Sequence, residues 1–249
     1  WKYCMFRREK SLVLTDLPDK IRQVNTCEIT NRKEYMDAER DLIMYLQKYK
    51  DADDDKIEKA LRGEVMVRIN ILRQISARGK VRDVIEFVKD FRENGKKIIL
   101  FCSLHEVVDQ LKRYFPTAVS VTGRDSQDEK QRAVDAFQNN PKADIIICSI
   151  KAAGVGLTLT ASSNVAFVEF PWTYADCCQC EDRAHRIGQK DSVTCYYFLG
   201  RRTIDEKVYR IIQEKKNIAN AVTGSTEDIE ENIVDMVARI FDTEYDDEE

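Results

Sequence analysis

The feature that most restricts this chain is a set of short apolar runs that do not alternate. Residues 144–150 include Ile145, Ile146 and Ile147 in succession, and residues 98–102 read Ile-Ile-Leu-Phe-Cys. A strand with one face in water alternates apolar and polar side chains, whereas a strand covered on both faces does not. Further strand-like runs occupy 118–121, 165–170 and 194–199. Helical patterns separate them, at 106–114, from 126, at 174–187 and from 203. Strands alternating with helices predict a parallel sheet with right-handed crossovers, a doubly wound α/β lobe. Ser126 with Glu129 and Thr203 with Glu206 have capping-box spacing, and Gly224 is placed to end the last long helix.

Residues 1–97 differ. Segments 31–50 and 56–92 are helical in pattern and highly charged, interrupted by the acidic run 51–55 and by Gly79. Residues 21–29 suit one extended segment. The whole stretch reads as a helical annex or linker outside the sheet. The predicted division is a linker over 1–30, a helical annex over 31–96, the α/β lobe over 97–224, and a C-terminal helix with an acidic tail over 225–249. The chain opens on Trp1, which suggests a piece of a longer protein.

The 249 residues are enough for one lobe plus an annex. A chain this long buries roughly 70–75% of its unfolded surface and needs no disulfide or metal staple. Cys177, Cys178 and Cys180 lie close together, but only two histidines exist to complete a metal site. The expectation is reduced intracellular thiols and no metal. No apolar stretch reaches the ~18 residues of a membrane span. The net charge of −4 argues against a generic basic coat for nucleic acid, though not against a local basic groove.

Three constellations carry possible chemistry. On the predicted helix 174–187, Gln179, Arg183 and Arg186 fall at i, i+4 and i+7 and share one stripe. Two cations near a helix end offset its dipole, and Asp182 is spaced to pair with Arg186. The alternative is a phosphate clamp, because a guanidinium stays charged and grips oxygens in a bidentate way. The second constellation is the loop after Ile150, with Lys151, Gly154, Gly156 and Thr158. It follows a central strand, at the end where open α/β sheets bind ligands. The third is Phe170-Pro171-Trp172. Its tryptophan is either a core residue or a rim residue able to stack on nucleic acid.

The string from Gln179 to Gln189, with Arg183, His185, Arg186 and Gly188, resembles the last helicase motif of the SWI/SNF family of DNA-dependent ATPases. Residues 149–161 resemble that family's glycine-bearing loop, 170–172 its tryptophan segment, and 121–123 its glycine turn. Arg7 to Lys10 and Leu17 to Lys20 resemble the passage from the first lobe to the second. The stretch Arg210 to Lys215 resembles the annealing-helicase branch. Departures are Cys180 for alanine, Trp172-Thr-Tyr for tryptophan-asparagine-proline, and Ala153-Gly154 for a glycine pair.

The resemblance implies a RecA-like second lobe with C-terminal bracing helices. Arg183 and Arg186 are then arginine fingers, with Gly154, Gly156 and Gln179 near the nucleotide. Lys151, Thr158, Trp172, Ser103 and Gly123 face DNA, and Lys80 sits at the junction between lobes. The partners implied are double-stranded DNA and a first lobe that holds most of Mg-ATP. The location implied is cytoplasm or nucleoid in a bacterium, or nucleus in a eukaryote.

No G-x-x-x-x-G-K-[ST] loop occurs: Gln74 and Asp90 stand where its first glycine belongs before Gly79-Lys80 and Gly95-Lys96. The lobe alone is therefore expected to be inactive as an ATPase. Rival readings are the second lobe of an RNA helicase, disfavoured by Gln189 where those carry arginine, and a non-catalytic nucleic-acid-binding module. An unrelated nucleotide-binding domain is disfavoured because Cys102-Ser-Leu-His holds no glycine fingerprint.

Overall fold

The computed structural model describes residues 16–50, 55–153, 156–169, 171–216, 234–237 and 241. Strands β2 (Ile98–Cys102) and β4 (Ile145–Ser149) are buried at every position. Ile99, Phe101, Ile146 and Cys148 join one apolar core, while Ile98, Leu100, Cys102, Ile145 and Ile147 join another. The runs do not alternate because each face of the sheet has its own core.

With β1 (Lys20–Cys27), β3 (Val119–Val121), β5 (Asn164–Phe167) and β6 (Val193–Gly200), these strands form one sheet in the order β1-β6-β5-β2-β4-β3. Every pairing is parallel, as the sequence predicts. The helices are α1 (Arg32–Lys50), α2 (Asp55–Glu93), α3 (His105–Tyr114), α4 (Gln127–Asn139), α5 (Ile150–Ala153), α6 (Tyr174–Glu181) and α7 (Ile204–Lys216). The capping box at α4 forms: Ser126 Oγ accepts from the Glu129 amide at 3.3 Å, and Glu129 accepts from the Ser126 amide at 2.8 Å.

Two expectations for the first hundred residues need correction. Segment 20–27 belongs to the sheet, paired with β6 from Lys20↔Val193 to Cys27↔Gly200. It lacks a strand-like apolar run because it is an edge strand, with Ile21 52% and Val24 43% exposed. Gly79 does not interrupt α2, which runs 39 residues, about 58 Å at helical rise. Gly79 is where the chain leaving β1 crosses this helix. A Cβ there would collide with Asn31 Oδ1 and meet Ile29 Cβ at 2.7 Å. On one side of the crossing α2 supplies Val65, Ile69, Leu72 and Ile75 to the first core. On the other it supplies Val81, Val84 and Val88 to the second.

Lys80, which the resemblance puts at the junction between lobes, is 1% exposed. Its Nζ donates to the Phe198 carbonyl at 2.8 Å and to Asp205 Oδ2 at 2.5 Å. Asp205 also accepts from Ser76 Oγ at 2.7 Å and the Gly200 amide at 3.0 Å. This buried knot ties α2 to the turn between β6 and α7. The expected capping box at Thr203 is accordingly absent: the Thr203 hydroxyl donates to the Gly200 carbonyl at 2.8 Å, and Glu206 accepts from the Arg202 amide at 3.1 Å. Gly224 lies outside the described residues. Val234, Val237 and Phe241 complete the first core, and Asp235 pairs with Arg62 of α2 at 3.3 Å.

A second buried carboxylate fixes the edge strand. Glu181, at the end of α6, has no exposed surface. Arg22 of β1 donates to both its oxygens at 2.7 Å, Lys20 reaches it at 2.9 Å, and the Tyr197 hydroxyl donates at 2.6 Å. Burial pushes this carboxyl up, but the Arg22 hydrogen bonds and the Lys20 and Arg22 charges outweigh it and hold it below its ordinary range.

Two outcomes follow for stability. Lys80→Met leaves Asp205 buried without its cation and costs about 3–5 kcal/mol in denaturant unfolding, of which Lys80→Met/Asp205→Asn recovers most. Glu181 has a depressed folded pKa, so its contribution is fully present above its unfolded value, about 4.3, and is lost as pH falls through the folded one. The stability gap between the natural chain and Glu181→Gln, measured by unfolding across acidic pH, therefore narrows below about pH 4.3. A gap independent of pH contradicts this.

Candidate functional site

Because all six strands are parallel, their carboxyl ends share one edge of the sheet, where open α/β sheets carry their ligand sites. Ser103 follows β2 directly, Gly123 lies two residues past β3, and Lys151 lies two past β4; all three are exposed. Beside Gly123, Asp125 accepts from the Thr122 amide at 2.6 Å and its hydroxyl at 2.8 Å, which holds the turn closed.

Trp172, past β5, is half-buried and packs against the first core. The Arg73 guanidinium of α2 stacks 3.8 Å from its ring centroid. Burial holds Arg73 below its ordinary range, opposed by the Asp205 and Glu169 charges. Glu169, just before, is buried and pushed up by that burial, while its carboxylate accepts from the Leu104 amide at 3.1 Å. Neither Arg73 nor Glu169 stands out in the sequence. Arg73 lies a hundred residues from the ring it covers.

The arginine segment departs from the sequence reading. Helix α6 ends at Glu181 rather than at residue 187. Beyond it the turn tightens, with the Arg183 amide donating to Cys180 at 3.1 Å, Ala184 to Glu181 at 3.1 Å and Arg186 to Ala184 at 3.0 Å. The Arg183 carbonyl accepts from the Leu159 amide at 2.9 Å, which ties the turn to the glycine loop. Gly188 then adopts φ +100°, which favours glycine. The expected stripe is broken. Gln179 is exposed on α6, Arg183 is 9% exposed, and Arg186 is half-buried. Asp182, spaced to pair with Arg186, instead takes Lys20 at 3.3 Å.

Arg186 lies across the glycine loop. Its Nη1 donates to the Leu157 carbonyl at 3.1 Å, Thr158 Oγ1 at 3.2 Å and the Gly156 carbonyl at 3.4 Å. Thr158 and Gly156 thus belong to the arginine cluster. Gly154 lies outside the described residues. Burial lowers the Arg183 pKa, and the Arg186 charge lowers it further. Two guanidiniums that raise each other's energy are the arrangement an anion relieves. A cleft of about 560 Å³ opens between α4 and the glycine loop, lined by Gln127, Asp128, Lys130 and Gln131 and by Gly156, Leu157 and Thr158.

Gln189 is a staple. Its Nε2 donates to the Ser162 carbonyl at 3.0 Å and the Ala184 carbonyl at 3.3 Å, and its Oε1 accepts from the amides of Lys190 and Asp191. Cys177 and Cys180 share the buried face of α6, with Cys178 half-buried. Among the described residues no group of three or more His, Cys, Asp or Glu is placed to hold a metal, and no helix is long and apolar enough to cross a membrane.

Comparisons with known proteins bear on the family and the fold. Residues 79–188 match the family described as Helicase conserved C-terminal domain. The chain is 30% identical over 218 residues to a SWI/SNF-related matrix-associated actin-dependent regulator of chromatin subfamily A-like protein 1 from Xenopus tropicalis, covering 85% of this chain and 22% of that protein. It is 30% identical over 232 residues to the DNA annealing helicase and endonuclease ZRANB3 from Bos taurus, covering 89% of this chain and 20% of that protein. The chain therefore spans about a fifth of the length of these relatives.

Among solved structures, the C-terminal part of the Fun30 ATPase domain superposes with a TM-score of 0.67 at 18% identity, covering 88% of this chain and 97% of that one. A Sulfolobus solfataricus SWI2/SNF2 ATPase core in complex with dsDNA superposes at 0.65 with 23% identity, covering 84% and 47%. The parallel six-stranded sheet, the arginine turn and these matches together make the chain a C-terminal, RecA-like helicase lobe belonging to the SWI/SNF family.

Proposed function

We propose that this lobe completes the ATP site of a double-stranded-DNA translocase. Arg183 and Arg186 act as arginine fingers on the nucleotide, and the carboxyl edge of the sheet contacts the DNA backbone. The observation that carries the reading is that Arg183 is buried, Arg186 is spread over the carbonyls of Gly156 and Leu157, and the charge of Arg186 is felt at Arg183. Phosphate oxygens fit such a pair, because planar guanidiniums can bind them in a bidentate way.

When bound, ATP supplies a phosphoryl group whose developing charge needs stabilising as it transfers. The residues of this chain hold that charge. They do not supply a phosphate loop, which is the task of the other lobe. At the carboxyl edge, Lys151 gives a cation for backbone phosphates, Ser103 and the Gly123 turn allow close approach, and Trp172 offers a ring face held by Arg73. Such contacts position a protein on duplex DNA without reading sequence. The dsDNA complex of a structural relative supports DNA as the partner, and the work then belongs to the nucleus or nucleoid.

Arg186→Ala in the intact protein should lower DNA-stimulated ATP turnover by about 10³-fold or more while duplex affinity stays close to that of the natural protein. The isolated lobe should show no turnover. A large loss of duplex binding in Arg186→Ala would assign that arginine to DNA instead. Lys151→Ala should weaken duplex binding alike for all sequences and reduce the salt dependence of the binding constant by about 0.9 in log–log slope. An unchanged slope removes Lys151 from the backbone contact.

A further inference from the structure

We propose that Lys20 and Arg22 of the edge strand are positioning residues for the arginine turn, and that Glu181 is the joint through which β1 sets the placement of Arg183 and Arg186. This rests on the reading of that pair as arginine fingers. It adds a part of the chain, 160 residues away, that decides where they stand.

The anchors bracket the pair. Immediately before Arg183, Glu181 is gripped by Arg22 through both oxygens and by Lys20, and Asp182 faces Lys20. Between Arg183 and Arg186, the His185 ring Nε2 lies 2.7 Å from the Pro18 carbonyl. A carbonyl only accepts, so Nε2 carries the proton. Lys20 and Arg22 are alternate strand residues and leave β1 on the same side. One short stretch of chain, 18–22, therefore holds positions 181, 182 and 185. The glycine loop in turn holds the Arg183 carbonyl through the Leu159 amide and holds Arg186 through Leu157 and Thr158.

The turn needs this external support. Past Glu181 it is neither α-helix nor strand, and the Arg186 amide has only a short-range bond to Ala184. A buried ion pair is weak evidence for stability, since apolar replacements of such pairs are often neutral or better. Its attested use is to specify one geometry. Here the geometry specified is that of the segment carrying both guanidiniums. Under the proposed function β1 is also the first strand the chain builds on entering this lobe, so the latch joins that entry to the arginines.

The experiment compares Arg22→Gln, Arg22→Lys, Arg186→Ala and Val84→Ala in the intact protein. It reads DNA-stimulated ATP turnover, KM for ATP, duplex affinity and melting temperature. Displacing catalytic groups by about 1 Å costs on the order of 100-fold. Arg22→Gln should therefore lower kcat about 10- to 100-fold, with duplex affinity unchanged, and Arg22→Lys should recover part of it.

Val84 packs in the other core, so Val84→Ala should lower the melting temperature and leave kcat alone. Should Arg22→Gln not fold, Lys20→Gln keeps both Arg22 bonds and must show a smaller kcat loss in the same direction. Natural kcat in the folded Arg22 or Lys20 variant, or an equal kcat loss in Val84→Ala, overturns the proposal. If Arg186→Ala is dead while Arg22→Gln is fully active, the latch fails and the fingers stand. If Arg186→Ala is fully active, the reading of the fingers fails first.

Discussion

Complete burial of β2 and β4 is the constraint from which the rest of the lobe follows. Side chains leave these strands toward two cores at once, so helices must cover both faces of the sheet. Connections that cross the faces make every strand parallel. Parallel strands in turn place all their carboxyl ends on one edge, and that edge receives Ser103, Gly123, Lys151 and the Trp172 turn. The same constraint explains the length of α2. It feeds both cores from one rod, passing the β1 exit at Gly79, where only a hydrogen fits. Just beyond the crossing, the Lys80–Asp205 pair pins the rod to the end of β6.

The parts of this fold that were legible in the sequence are those whose cause is local. Five buried residues in succession declare a two-faced strand by themselves. Ser126 and Glu129 declare a helix start three residues apart. The parts that were not legible have their cause far along the chain. β1 looks like linker because an edge strand carries polar residues, and its partner begins at Val193. Lys80 looks like a surface lysine until Asp205, 125 residues on, is known to share its site. Arg22 and Glu181 are 159 residues apart. In the site, the identity of the two arginines was legible and their geometry was not. A 3.6-residue period cannot show that the helix ends at Glu181 or that the Leu159 amide bonds the Arg183 carbonyl.

That early stop decides what the arginines can do. Had α6 continued to residue 187, Arg183 and Arg186 would share a stripe with Gln179, which is exposed, and each would have been screened by water. Ending at Glu181 turns Arg183 inward and lays Arg186 on the loop. The mutual repulsion that follows is unfavourable, and burial makes it worse for Arg183. Carbonyl dipoles from Gly156 and Leu157 offset part of it on Arg186. Carbonyls are weaker partners for a guanidinium than a phosphate, whose full charge allows charge-assisted bidentate bonds. The turn thus holds the two cations in fixed positions before any ligand arrives. An incoming anion then binds without the protein having to gather its charges, and that preorganisation is what transition-state stabilisation by fixed cations requires.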